Sequence, residues 1–126
     1  MLGTHWIAEG TGCQGSRLEA GGCQSCLLEL CRRLGMTAVS EAQVHEQDAA
    51  GTPSSIAGIL LIAESHISVH IFPSDRVVHV DVFSCGAFDL PTARAVVQEH
   101  FAPTRWSEQC VDRGGSDEAG SVTKRR

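Results

Sequence analysis

The sequence predicts an α+β fold: a two-layer sandwich, with a largely antiparallel sheet and two helices on one of its faces. Two alternating apolar–polar runs meet at a four-residue turn, and two other stretches carry apolar residues at helical spacing. The chain has 126 residues, 42% of them apolar and 20% charged, which suits one globular domain with one modest core.

His5-Trp6-Ile7-Ala8-Glu9 reads as a first short strand, closed by the glycines at 10 and 12. A Gly-rich loop follows to Gly22. Cys23, Cys26, Leu27, Leu30, Cys31 and Leu34 fall on one helical stripe, so a helix is expected from Gly22 to Leu34, with Gly35 as its stop. Thr37 to Ser40 begins a strand that reaches toward His45. Asp48 to Ser54 has loop chemistry. Ile56 to Ala63 is apolar almost throughout, as a strand buried on both faces would be.

His66 to Phe72 and Val77 to Phe83 alternate cleanly around Pro73-Ser74-Asp75-Arg76 and form a hairpin. Leu90-Pro91 opens a second helix whose apolar face is Ala93, Val96, Val97 and Phe101. Arg105 to Val111 is the expected last strand. One domain is therefore expected over residues 1–112, followed by a disordered polar tail over 113–126.

Composition narrows the function. A net charge of −5, with no Tyr and one basic cluster at Lys124-Arg125-Arg126, disfavours a nucleic-acid partner. The longest apolar run, Ile59 to Ala63, is too short to cross a bilayer. Met1 to His5 shows no secretory signal, so a cytoplasmic location is expected, with its six cysteines reduced. Cys23-Gln24-Ser25-Cys26 has the spacing of a zinc or redox pair. No second such pair completes a ligand set, and the helical phase favours core packing, so no metal is expected.

Counting outward from the turn sets Phe72 opposite Val77, His70 opposite His79, Ser68 opposite Asp81, His66 opposite Phe83 and Glu64 opposite Cys85. A hydroxyl, an imidazole and a thiol would thus gather on one surface beside the Glu64–Ser65 bond. A slip of one residue would scatter them.

The stretches Ala63-Glu64-Ser65-His66-Ile67-Ser68-Val69-His70 and Val80-Asp81-Val82-Phe83-Ser84-Cys85-Gly86 resemble the prokaryotic S-adenosylmethionine decarboxylase family, with weaker similarity over roughly residues 3–112. The resemblance implies a proenzyme cut between Glu64 and Ser65 into a β chain (1–64) and an α chain (65 onward). Ser65 would attack the Glu64 carbonyl, and elimination from the ester would leave a covalent pyruvoyl group at residue 65. That ketone forms a Schiff base with the substrate amine and accepts electrons as CO₂ leaves, so the chain is expected to be a lyase of polyamine and spermidine biosynthesis. By the same resemblance His70 assists proton transfer during processing, Cys85 reprotonates the substrate carbon, and the protein is a homodimer. Ser68, Phe72 and Asp81 are the candidate substrate contacts.

The chain departs from the family pattern around the substrate. Ser74 stands where an acidic residue holds the ribose, the loop Glu46 to Gly51 has no aromatic for the adenine, and Ala57 replaces a hydroxyl residue. These losses favour a basic amino acid, L-ornithine or L-arginine, slightly over S-adenosylmethionine, with Glu46, Asp48 or Asp81 as the carboxylate for its cationic end. A relative that keeps the fold as a non-enzymatic dimerisation module is the other alternative.

Overall fold

The computed structural model describes residues 3–49 and 52–114; of the expected tail, residues 115–126 lie outside the described residues. The elements in chain order are β1 (Gly3–Thr11), α1 (Ala20–Arg33), β2 (Thr37–Ala38), β3 (Gln43–Ala49), β4 (Thr52–Ala63), β5 (Ser65–Phe72), β6 (Val77–Ser84), α2 (Leu90–Phe101) and β7 (Arg105–Arg113). The strands form one sheet in the order β2–β4–β5–β6–β1–β7, with β3 also on β4. Every pairing is antiparallel. Both helices pack against this sheet and against each other, α1 over β3 to β5 and α2 over β1. The expected two-layer α+β sandwich is the observed one.

The helical stripe of α1 faces the sheet, with Cys23, Cys26, Leu27 and Leu30 fully buried and Cys31 nearly so. The Cys23 thiol donates to the Val69 carbonyl of β5 at 3.6 Å, and burial pushes its pKa up to about 11. These cysteines are core atoms, inert at neutral pH. The helix ends where Gly35 adopts φ +68°. There the Met36 amide bonds back to Cys31 and the Gly35 amide to Arg32, which satisfies carbonyls that the helix end would leave open.

Three expectations need correction. The strand expected over 37–45 is two pieces, β2 and β3, which share the outer edge of β4. The expected loop Asp48–Ser54 is mostly strand: β3 runs on to Ala49 and β4 starts at Thr52, with a register shift between Gln47 and Asp48. Pro53 is tolerated there because the pairing is already irregular. Finally, Ile56–Ala63 is buried on one face only. Ile56, Leu60 and Ile62 point to the helices, while Ile59 is 38% and Leu61 45% exposed.

Gly58 lies where β4 passes under α1. A Cβ there would come within 2.6 Å of Cys23 Sγ and 2.9 Å of Leu27 Cδ1. Gly58→Val should therefore lower unfolding stability by about 1–3 kcal/mol despite valine's strand preference, because overpacking a closed core outweighs it. A urea melt with an earlier midpoint and an unchanged slope would show this.

A buried carboxylate fastens the other end of the sandwich. Glu108 of β7, whose side chain is 5% exposed, accepts hydrogen bonds from the indole Nε1 of Trp6 (2.8 Å) and Trp106 (2.8 Å) and forms an ion pair with Arg94 of α2. Burial alone would raise its pKa. The three donors outweigh burial and hold it below the ordinary glutamate value.

Candidate active site

The β5–β6 hairpin has the register counted from its turn: Phe72 opposite Val77, His70 opposite His79, Ser68 opposite Asp81 and His66 opposite Phe83. One step beyond, the Cys85 amide donates to the Glu64 carbonyl at 3.3 Å. The inferred neighbourhood of Cys85 and the Glu64–Ser65 bond is therefore present. Burial alternates as the pattern requires, with Ile67, Val69 and Ile71 inside and His66, Ser68, His70 and Phe72 on the second face.

Ser65 departs from regular strand geometry, with φ at 139°, a region that residues other than glycine rarely enter. Its Oγ lies 3.3 Å from Nδ1 of His66, and the His66 ring sits edge-on to Phe83 with the ring centroids 6.0 Å apart. Glu64, Ser84, Cys85 and Phe88 line a cleft of ≈ 390 Å³ with Leu34 and Met36 from the end of α1. Cys85 is half-buried, whereas the other five cysteines are buried. A thiol, a carboxylate and an apolar wall with one aromatic thus line the cleft on the Glu64 side of the bond expected to break.

His70 does not join this group. It follows Ser65 by five residues on the same strand, a separation of about 16 Å at the rise of a β-strand. Its ring stacks on Phe72 at 4.3 Å and faces His79. Burial, with His79 beside it, keeps its pKa below the usual imidazole value, so the ring is neutral at neutral pH. Within one protomer the imidazole at the Ser65 hydroxyl is that of His66, and His70 belongs to a separate aromatic cluster at the far end of the hairpin.

The substrate candidates divide in the same way. Ser68 and Asp81 form a cross-strand pair on the second face, where Asp81 lies 3.4 Å from His5. Phe72 lies beyond His70, about 23 Å along the strand from Ser65. Glu46 sits opposite Ile56, and Asp48 lies further out, toward the end of β4 away from Glu64. Within one protomer, neither loop acid reaches the cleft. His66 and Phe88 were the residues that sequence reasoning missed. The signal for His66 was its position beside Ser65; Phe88 had none.

The second face carries a row of its own: His45, Ala57, His70, His79 and Glu9 lie on successive strands, with His79 bonded to Glu9 at 3.0 Å. Among the described residues no group of three or more His, Cys, Asp or Glu side chains is placed to hold a metal ion.

Comparison with known proteins gives a consistent result. Residues 4–114 match the profile of the S-adenosylmethionine decarboxylase family. The chain is 31% identical to the S-adenosylmethionine decarboxylase proenzyme of Acidithiobacillus ferrooxidans, over 94% of this chain and 87% of that protein. A 63-residue stretch is 38% identical to the corresponding proenzyme of Archaeoglobus fulgidus, covering 49% of this chain and 56% of that protein. The crystal structure of adenosylmethionine decarboxylase from Aquifex aeolicus superposes with a TM-score of 0.76 at 25% identity, over 95% of this chain and 97% of that one.

Proposed function

The chain belongs to the S-adenosylmethionine decarboxylase family, and from that premise we propose that it cuts itself between Glu64 and Ser65 and then decarboxylates S-adenosylmethionine. Its family makes it a pyruvoyl-dependent carboxy-lyase whose cofactor is covalent. One observation carries the self-cleavage reading: the Glu64 carbonyl is held by the Cys85 amide, and the adjacent Ser65 hydroxyl lies against an imidazole. Residue 65 fits the group, since serine supplies its three carbons and follows Glu64, which lines an open cleft. The ketone, once formed, supplies an electron sink for loss of CO₂.

This chain's own residues do the rest. Cleavage gives pieces 1–64 and 65–126, and the new terminus at Glu64 stays on the cleft rim. The Cys85 thiol, whose backbone already touches residue 64, is the acid that returns a proton to the substrate carbon. Leu34, Met36 and Phe88 exclude water and offer an aromatic, apolar wall to the nucleoside. That wall offsets the missing aromatic in the 46–51 loop.

The working unit is a homodimer. Within one protomer His70 stands about 16 Å from Ser65, so its part in processing requires a second copy to bring it there. The exposed Ile59 and Leu61 mark the second face as the surface so covered. The family's place in polyamine biosynthesis supports assigning the reaction to the cytoplasm; among the described residues no helix is long and apolar enough to cross a membrane.

A second reading, decarboxylation of L-ornithine or L-arginine, is favoured by Ser74, which offers no carboxylate to the ribose. CO₂ release from S-adenosylmethionine, ornithine, arginine and lysine at equal concentration separates the two. S-adenosylmethionine should react at least ~100-fold faster than any other, the ratio expected of a site that recognises the nucleoside through several contacts. Turnover of ornithine or arginine alone would establish the second reading in its place.

A further inference from the structure

We propose that His66 is the general base of the first self-cleavage step, in which the Ser65 hydroxyl attacks the Glu64 carbonyl; this rests on the self-cleavage reading above. A serine hydroxyl is a weak nucleophile until a neighbour takes its proton, and the neighbour must be within hydrogen-bond reach. His66 Nδ1 is 3.3 Å from Ser65 Oγ. His70 is about 16 Å away in the same protomer. Ser84, which pairs with Ser65 across the hairpin, is no base at neutral pH.

The ring is held in place. His66 packs edge-on to Phe83, and the Arg113 guanidinium lies 4.4 Å above the Phe83 ring. The electrophile is prepared from the other side by the Cys85 amide, which donates to the Glu64 carbonyl oxygen and remains there as that oxygen gains negative charge. Nucleophile, base and oxyanion donor thus all come from one hairpin.

The step balances without a further reagent. Oγ bonds to the Glu64 carbonyl carbon as its proton passes to His66 Nδ1, and the carbonyl π pair moves onto oxygen beside the Cys85 amide. The pair then returns, the Glu64–Ser65 C–N bond breaks, and His66 gives the proton to the departing nitrogen. The product is an ester with a free amine, formed with no net gain or loss of protons. His66 is a catalytic residue by contact with the reacting atom, and His70 is left for the later elimination.

The test follows processing of the full chain made by cell-free synthesis, read as loss of the intact species on denaturing gels. His66→Ala should slow cleavage by ~100-fold or more, the usual share of a general base, and added imidazole should restore part of the rate. His66→Gln keeps the bulk against Phe83 and should be equally slow with a wild-type circular dichroism spectrum. In a His70→Ala background, hydroxylamine should cut the accumulated ester, and adding His66→Ala should abolish that cut. Cleavage of both His66 variants within threefold of wild type overturns the assignment while leaving self-cleavage intact. A wild-type chain that never cleaves overturns self-cleavage itself.

Discussion

Ser65→Ala should leave the chain in one piece and reduce decarboxylation to the uncatalysed background. Alanine has no oxygen to attack Glu64, so no ester forms and no ketone can arise at residue 65. The loss should be complete because the missing group is the electrophile itself, and no other side chain in the protein supplies a carbonyl of that kind. The fold should be unaffected. Ser65 is only partly buried, and its Oγ bonds to one partner at the long distance of 3.3 Å. An unchanged thermal melt beside absent cleavage would separate chemistry from stability. Residual turnover in a purified, uncleaved Ser65→Ala protein would contradict the account.

The largest expected effect on stability lies at the opposite end of the sandwich. Glu108→Ala should cost about 3–5 kcal/mol, the loss typical when one partner of a buried ion pair is removed and the rest of the network is left unsatisfied. Two indole N–H groups and the Arg94 guanidinium all depend on that carboxylate. For a domain stable by about 5–15 kcal/mol this approaches unfolding. The Glu29–Arg32 pair on α1 makes the contrast: Arg32 is 70% exposed, and Glu29→Ala should barely move the melt.

Glu108 also sets a pH dependence. Its folded-state pKa is depressed, so its contribution is present above the unfolded glutamate value of about 4.3 and is lost as pH falls through the lower folded value. The melting temperature should fall on acidification below that point. Glu108→Gln, already weakened, should show a shallower fall.

The hairpin was legible because a four-residue turn and clean alternation leave one register that buries Ile67, Val69, Val80 and Val82 together. The α1 stripe was legible for the same reason, in helical phase. The outer strand β3 was not. Its Gln43-Val44-His45-Glu46-Gln47 sequence has little apolar content because an edge strand is held by backbone pairing to β4 and exposes its polar side chains. β4 misled in the opposite sense: Ile59 and Leu61 read as core, yet they face outward in a single protomer. An apolar residue awaiting a second copy looks the same in sequence as one awaiting a helix.

The site was half legible. Counting found Cys85 beside Glu64 because backbone pairing carries the register past the strand end. It set His70 with them because parity records which face a residue occupies and says nothing of distance along the strand. It passed over His66, which shares the parity of His70, because counting sets it opposite Phe83 and says nothing of contacts between neighbours along a strand; the positive φ of Ser65 accompanies such a contact. Phe88 lies in the connection to α2, where no period operates.

Denaturing mass spectrometry of the purified wild-type protein tests the central claim most directly. Two fragments are expected: one ending at Glu64, and one starting at residue 65 that is lighter than its serine-initiated sequence by one ammonia and gives no signal in N-terminal sequencing. A single intact chain after prolonged incubation, or a second fragment with an ordinary serine terminus, would contradict it.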